Sequence, residues 1–396
     1  MKARVYLLVV GAMFLGGLSA RAEVDPLARW REGVTVKAIS GTEGRHTTHS
    51  YYLTTPESPD GTRVLYFSST AANGEFGDIC VVDRATGKET IVARGVTCED
   101  AHRVACQQWT LGGKAVAFHD VRDKRWGVYM VDLESGKEKT IALDRQVGFG
   151  QGAGHLVPVY GPHWKPGEHR GLEIAEAATG EVRERMKIEV MEEAYKAWLE
   201  KEFKGKPVSV FFPIVSKDEK RVFFKVASSL GGEDFRSKNA SLRQGIVAYD
   251  LEQNGLLFMR ERWGHPAWFP DSRRIIEIGN ISFDSSEKGK VEKIPDLPVL
   301  NSGPHLSVSP DGKLFVTDGL LDKIGGKPGE WGIVVCDTRG GEGRYQILHR
   351  FENSKGAKTW RHNHPHPVFS PDGKRIYFNV NATDWTQLMV AECGGR

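Results

Sequence analysis

The chain has 396 residues, 27% of them charged, and a formal net charge of +3 at pH 7, which gives no basic excess that would attract a polyanion. Without a basic stripe, nucleic-acid binding is not expected. The sequence also lacks a Gly-x-Ser-x-Gly elbow and a Gly-Lys-Ser/Thr loop, which argues against a serine hydrolase and a phosphate-cradling nucleotidase.

The N-terminal residues have the pattern of a secretory signal. Lys2 and Arg4 precede an apolar run over 5–18, and small residues follow it. This run is too short to anchor the chain across a bilayer. We therefore predict a signal peptide at 1–22, a single mature domain over 23–396, a secreted or periplasmic location and no membrane anchor.

The five cysteines are an odd number and cannot all pair within one molecule. Cys98 and Cys106 lie close enough in sequence for a local disulfide in an oxidising compartment. Buried free thiols are the alternative.

Seven segments at intervals of roughly 40 to 60 residues share a tight turn followed by an alternating apolar strand. Four contain Ser-Pro-Asp-Gly or a near-identical turn, at 58–67, 269–278, 309–316 and 370–378. Two fit more loosely, at 111–118 and 216–224, and 160–170 takes the place of the remaining turn. Period-two apolarity between such reversals predicts an all-β protein, a seven-bladed β-propeller.

One segment departs from the β periodicity. Residues 189–203 have the spacing of a charged amphipathic helix, whose apolar side is formed by Met191, Ala194, Trp198 and Leu199. We predict a short helical insertion on the loop between the third and fourth blades. A solvated packing helix is preferred to a lid over the site.

Histidines are concentrated just before the blade turns. His265, His305, His364 and His366 precede the turns of the last three units, and the alternation of the last two puts both on one strand face. Imidazoles that converge on the propeller axis predict a divalent metal site of the Zn or Mn type. The alternative is that each is a separate loop histidine bonded to backbone.

Three further segments contain candidate site residues, and the first of them is polar where an inner strand should be apolar, a local conflict that function explains. The first, 99–109, contains His102 and is followed by Lys114 and His119, so that the two histidines are expected to face each other near the axis. The second contains Tyr160, Trp164 and Arg170, and the third contains His46 and His49 before the first blade turn.

With these segments, nearly the whole mature sequence resembles secreted seven-bladed polysaccharide lyases, the ulvan lyases and the related oligogalacturonate lyases. The ulvan-lyase resemblance implies that His102, His119, Tyr160 and Arg170 are catalytic. It implies β-elimination on a uronate-containing polysaccharide, with His/Tyr acid–base chemistry and Arg/Lys neutralising the uronate carboxylate. The residues expected to bind substrate are Lys114, His46, His49 and Trp164.

The oligogalacturonate-lyase resemblance concerns the metal. Its Gln-x-x-His-x-His run matches His364 and His366, with Arg361 in place of the glutamine, and His305 resembles the partner ligand. His265 is either the base of that family or a ligand of a structural zinc. The resemblance implies a divalent metal, Zn in preference to Mn, with a structural or a catalytic role.

We therefore predict a monomeric lyase whose partner is an acidic polysaccharide or oligosaccharide. Two alternatives stay open. One is an oligogalacturonate lyase with a catalytic divalent metal, and the other is a non-catalytic periplasmic propeller that binds a glycan or an envelope protein.

Overall fold

The computed structural model describes residues 24–41, 44–234, 236 and 239–394. These residues form seven four-stranded antiparallel sheets, and the chain is a seven-bladed β-propeller as the repeats predict. The predicted signal peptide lies outside the described residues and stays a prediction. Within them, no helix is both long and apolar enough to cross a membrane.

The first four blades follow one another along the chain, each with its first strand at the axis. Blade 1 consists of β2 (His46–Thr48), β3 (Arg63–Ser69), β4 (Phe76–Asp83) and β5 (Glu89–Thr97). Blade 2 consists of β6 (Gln108–Thr110), β7 (Ala115–Arg122), β8 (Arg125–Asp132) and β9 (Glu138–Leu143). Blade 3 consists of β10 (Gln146–Val147), β11 (Leu156–Tyr160), β12 (Leu172–Glu176) and β13 (Val182–Met186). Blade 4 consists of β14 (Val208–Val215), β15 (Arg221–Ser229), β16 (Ser241–Asp250) and β17 (Gly255–Arg260).

The remaining blades complete the ring. Blade 5 consists of β18 (Ala267–Trp268), β19 (Arg274–Glu277), β20 (Ile281–Asp284) and β21 (Lys290–Lys293). Blade 6 consists of β22 (Leu306–Val308), β23 (Leu314–Leu320), β24 (Trp331–Asp337) and β25 (Tyr345–Phe351). Blade 7 combines β26 (Val368–Phe369), β27 (Arg375–Val380) and β28 (Gln387–Glu392) with β1 (Thr35–Ala38) as its outermost strand.

The Ser-x-Asp part of the blade turn has a specific hydrogen-bonding role. In blade 7 the Ser370 hydroxyl donates to Asp372 (2.7 Å) and accepts from the backbone N–H of Arg375 (3.0 Å). Blades 1, 4 and 6 repeat both bonds. Gly373 has a positive φ of 70°, which a glycine adopts without strain. The turn therefore pins the register between the first two strands of a blade.

The predicted turn of blade 3 is wrong. The segment 160–170 lies after β11, and the connection between β10 and β11 is residues 148–155 instead. That connection has no serine–aspartate pair, and its backbone is held by neighbours: Phe149 pairs with Ile214 of blade 4. Register is set there by the adjoining blade.

The helical insertion lies where it was predicted but is broken in two. Helix α2 covers Ile188–Ala194 and α3 covers Lys196–Phe203, and Tyr195 between them leaves helical geometry (φ −120°, ψ 25°). Its apolar side packs on the strands of blade 4 and the adjoining strands of blade 3, with Met191 and Trp198 buried. One further short helix, α1, spans Ala28–Arg31.

All five cysteines carry free thiols, so the alternative of buried thiols holds and the disulfide between Cys98 and Cys106 is not formed. The Cys98 thiol donates to the Gly74 carbonyl at 3.2 Å, whereas the Cys106 sulfur lies 3.5 Å from a carboxylate oxygen of Glu99.

Candidate functional site

Two tyrosines before the first blade turn close the axial channel. The Tyr51 ring stacks on Phe149 at 5.7 Å and meets Phe212 edge-on at 5.5 Å. Tyr52 donates to the carbonyl of Pro266 and lines a cavity of about 260 Å³ at one mouth of the channel. Histidines from several blades meet on the other side of these two tyrosines, at the end of the channel where the inner strands begin.

The structure brings four histidines together, and we call them the histidine group: His102, His305, His364 and His366. One ring nitrogen of each lies within 4.8 Å of the corresponding nitrogen of every other. His102 comes from the loop before β6, His305 from the loop before β22, and the other two from the loop before β26. Three of the four ligands predicted from sequence, His305, His364 and His366, are therefore in the group, while His102 takes part in place of the fourth, His265.

The ring nitrogens of this group are available for a metal. Among the described residues, His102 and His366 have no hydrogen-bond partner on either nitrogen, and His305 Nε2 and His364 Nδ1 have none. Burial lowers the pKa of His305 and His364 to about 3, so both rings are neutral as a metal requires. Four neutral imidazoles suit Zn or Mn, and the residues present fit such an ion.

Groups behind the histidines fix their orientation. The buried carboxylate of Asp318 accepts from His305 Nδ1 at 3.1 Å and from the His305 backbone N–H at 2.6 Å. This arrangement directs His305 Nε2 into the group, as carboxylates do behind metal-bound histidines. His49 lies beneath, where its Nε2 donates to the carbonyl of His366 at 2.6 Å. His49 therefore supports a backbone turn, although the sequence predicted contact with substrate.

A second group, Glu99, Cys106 and His119, is also close-packed but is poorly suited to a metal. His119 Nδ1 accepts from the backbone N–H of Val147 at 3.4 Å, which leaves the proton on Nε2, the atom facing Glu99. The guanidinium of Arg103 already pairs with the Glu99 carboxylate. A divalent metal ion would have to displace the Arg103 guanidinium. We therefore interpret this group as a set of contacts that stabilises the loop carrying His102.

Four basic residues lie near one another beside the histidine group: Arg103, Lys225, Arg243 and Arg361. Arg103 pairs with Glu99 and Arg361 lies 3.6 Å from Asp100, whereas Lys225 and Arg243 have no ion pair among the described residues. The Lys225 ammonium lies 4.1 Å from the ring centre of Trp263, and Arg243 lies 4.7 Å from that of Phe211. Burial, then the neighbouring arginines, lowers the pKa of Lys225 well below its usual value and that of Arg243 to about 9. Such an excess of positive charge favours an anionic ligand.

Sequence reasoning missed Lys225 and Arg243. Lys225 interrupts the apolar run of β15, and a charge in a buried strand is the signal that would have identified it. Arg243 lies on β16, where its side chain also donates to the Ser241 hydroxyl.

His265 lies at the edge of the histidine group. Its ring centre is 4.6 Å from that of His305, yet it is not one of the four. Burial lowers its pKa well below the usual value, and His305, Lys225 and Arg361 lower it further. Its backbone is strained, with φ at +50° in a residue other than glycine. His265 is thus a neutral, partly exposed imidazole held between the histidines and the cations.

The predicted catalytic quartet is not brought together. His102 belongs to the histidine group, and His119 is wholly buried beside Glu99. Tyr160 is also fully buried: its ring packs on Phe211, its hydroxyl has no partner, and burial raises its pKa above the ordinary value. A phenol that is harder to ionise and closed off from solvent is badly placed to exchange a proton with substrate.

Arg170, the fourth member, lies at the helical insertion. Its guanidinium pairs with Glu192 at 3.0 Å and Glu189 at 3.4 Å, both on α2. The segment between β11 and β12 leads away from the axis. Arg170 therefore does not lie at the axis, although it follows Tyr160 by only ten residues. Arg170 therefore fastens the insertion to blade 3.

The predicted substrate contacts are also dispersed. Lys114 is exposed and follows the inner strand β6, whereas the histidines precede inner strands, so it lies at the opposite end of the blade. Both ring nitrogens of His46 are bonded to backbone, at Ala72 and Thr386. Trp164 is buried against His163.

Comparison with known proteins places the chain in a fold class. No protein-family model matches the sequence, and no curated protein matches it. Solved structures do match: the fold is that of the propeller in oligogalacturonate lyases. The lyase from Vibrio parahaemolyticus has a TM-score of 0.61 and 16% identity, over 91% of this chain and 93% of its own.

A second structure, of an oligogalacturonate lyase in complex with manganese, has a TM-score of 0.60 and 16% identity, over 92% of this chain and 94% of its own. A chain of the mitotic checkpoint complex also matches, with a TM-score of 0.52 and 12% identity, over 98% of this chain and 99% of its own. Likeness at this level establishes the shared fold, and function has to be argued from the site.

Proposed function

We propose that the protein is a lyase that cleaves a uronate-containing oligosaccharide or polysaccharide by β-elimination, of the oligogalacturonate-lyase type. One observation carries the proposal: a neutral, partly exposed imidazole, His265, lies between a four-histidine group and the basic side chains of Lys225 and Arg361. The similarity in fold to oligogalacturonate lyases supports the same proposed activity. Action on ulvan, predicted from the sequence, stays a prediction.

The residues match the demands of the reaction. The hydrogen next to a uronate carboxylate is only weakly acidic, so the carboxylate must be neutralised while a base removes the proton. The carboxylate of a bound uronate would raise the lowered pKa values of Lys225 and Arg243 and hold both side chains in the charged form. His265 supplies the base. The C–O bond at the neighbouring carbon then breaks, a C=C bond forms, and the departing sugar oxygen takes up a proton from water.

A divalent ion would be held by His305, His364 and His366, with Asp318 orienting the first of them. When bound, such an ion adds Lewis-acid stabilisation of charge that develops on the uronate carboxylate. The chain's own contribution is to keep these rings neutral and their nitrogens free.

The direct test is ultraviolet absorbance of the protein incubated with oligogalacturonate and, separately, with ulvan, after loading with Mn²⁺ or Zn²⁺. Elimination creates a double bond conjugated with the carboxylate, whereas hydrolysis does not. A rise in absorbance with oligogalacturonate supports the proposal. A rise with ulvan alone would show that the substrate is the one predicted from the sequence. Binding of either polymer without any rise would favour the non-catalytic propeller.

Replacing Lys225 by Met should raise KM for the uronate substrate by about tenfold or more, because the carboxylate loses a charge-assisted contact in a partly desolvated site. Steady-state kinetics at fixed ionic strength measure the effect. Lys220 provides the control, since it lies just before the same strand and pairs at the surface with Glu252. Equal kinetics in Lys225→Met and Lys220→Met would remove Lys225 from the substrate site.

Replacing Asp318 by Asn should weaken divalent-metal binding by about 10- to 100-fold, because the buried amide cannot hold His305 as the carboxylate does. The measurement is a competition titration of the chelator-treated protein with Zn²⁺. A variant that keeps wild-type affinity would show that Asp318 has no role behind a metal.

A further inference from the structure

We infer that His102 is a fourth metal ligand, and that Asn363 positions it through the loop backbone. This inference rests on the metal of the proposed function but not on the identity of the substrate. His102 is 1% exposed and both of its ring nitrogens lack a partner. Its ring centre lies 4.6 Å from that of His364 and 4.4 Å from that of His366.

Burial argues for a ligand and against an acid or base. A buried polar atom without a partner is costly, and His102 has two such atoms among the described residues. Tyr51 closes the site from below, with its ring centre 5.6 Å away. A general acid or base has to reach substrate, whereas a ligand has only to reach the nitrogens of His364 and His366.

The loop that delivers His102 is strained. Val104 and Cys106 have φ angles of 47° and 50°, and a β-branched residue such as valine rarely adopts this region. Strain of this kind persists only where surrounding contacts enforce it, and it is common at functional sites. Here the Glu99–Arg103 ion pair and the bond from the His119 backbone N–H to the Ala105 carbonyl enforce it.

Asn363 ties this loop to the loop that carries the other histidines. Its side-chain amide donates to the Ala101 carbonyl at 2.7 Å, and it is fully buried. Ala101 directly precedes His102, and Asn363 directly precedes His364. The Asn363 bond therefore joins, next to both histidines, two loops that lie 262 residues apart in sequence, and the bond from the Ala101 backbone N–H to the Thr359 hydroxyl at 3.0 Å reinforces it.

The inference is tested by competition titration of the chelator-treated protein with Zn²⁺. His102→Ala should weaken zinc binding by more than about 100-fold, since it removes a ligand rather than a supporting group. His265→Ala is the matched control, because the His265 ring lies 4.6 Å from that of His305, nearer than the 5.6 Å of His102, yet is outside the group. Unchanged affinity in His102→Ala together with a large loss in His305→Ala would overturn the inference.

Asn363 is tested by a double-mutant cycle. Asn363→Ala should weaken zinc binding by about tenfold in the wild-type chain and have no further effect when His102 is already alanine. The same loss in both backgrounds would show that Asn363 acts through His364 instead. If His102→Ala does not fold, X-ray absorption of the zinc-loaded wild type decides, since four imidazoles support the inference and three overturn it.

No step of the titration uses substrate. A protein that binds zinc through His102 but cleaves no uronate polymer would refute the proposed function and leave this inference standing.

Discussion

Replacing His265 by Ala is expected to lower kcat/KM for the uronate substrate by about 10³-fold, the contribution of a positioned general base. The ring is neutral, partly exposed and close to two cations, so it can take a proton from carbon beside a neutralised carboxylate. Ultraviolet absorbance of the unsaturated product measures the rate. Thermal stability and zinc content should stay near wild type.

His349 supplies the control for this experiment. It is a partly buried histidine of β25 that packs on Phe351, away from the histidine group. His349→Ala should keep its rate. If His265→Ala retains activity while His119→Ala loses it, the base is the residue predicted from the sequence, and the burial of His119 must be relieved when substrate binds.

Replacing Glu57 by Gln is expected to lower the free energy of unfolding by about 3 kcal/mol. Glu57 is fully buried and accepts two hydrogen bonds from the Arg375 guanidinium, at 2.7 and 2.8 Å, and a third from the Tyr377 hydroxyl. The amide removes the buried counter-charge of that guanidinium, which is only 15% exposed and keeps only the more exposed Asp372 as a carboxylate partner at 2.8 Å. Because the contact joins blade 1 to blade 7, its loss weakens the closure of the ring.

Glu89 is a close match as a control. It also accepts two bonds from an arginine, Arg45, and one from a tyrosine hydroxyl, that of Tyr66, but its side chain is 27% exposed. Glu89→Gln should cost about 1 kcal/mol, since solvent screens the unpaired partner. Urea unfolding of both variants compares them, and equal losses would show that burial does not set the difference.

The architecture was predictable because the blade turns have a local cause. The serine–aspartate hydrogen bonds form within five residues, so the sequence carries them as a repeated motif. The turn of blade 3 was predicted wrongly because the register of that blade depends on the pairing of Phe149 with Ile214 of the next blade. The two residues are about 65 positions apart in the chain. No local motif encodes that pairing.

The site was predictable only in part, for a similar reason. The placement of His305, His364 and His366 before inner strands predicted that they would converge, and the structure brings them together. The place of His102 depends on the left-handed residues Val104 and Cys106, which ordinary propensities disfavour.

The pairing that closes the ring joins the two ends of the described chain, and this affects the order in which the protein can fold. Strand β1 completes blade 7 by pairing with β28, Thr35 opposite Glu392 and Ala38 opposite Met389. During synthesis β1 therefore has no partner strand until some 350 further residues have been made. Contacts of such long range form slowly. His364 and His366 precede the same blade, so a nascent chain lacks half of the histidine group until this last part of the sequence has been made.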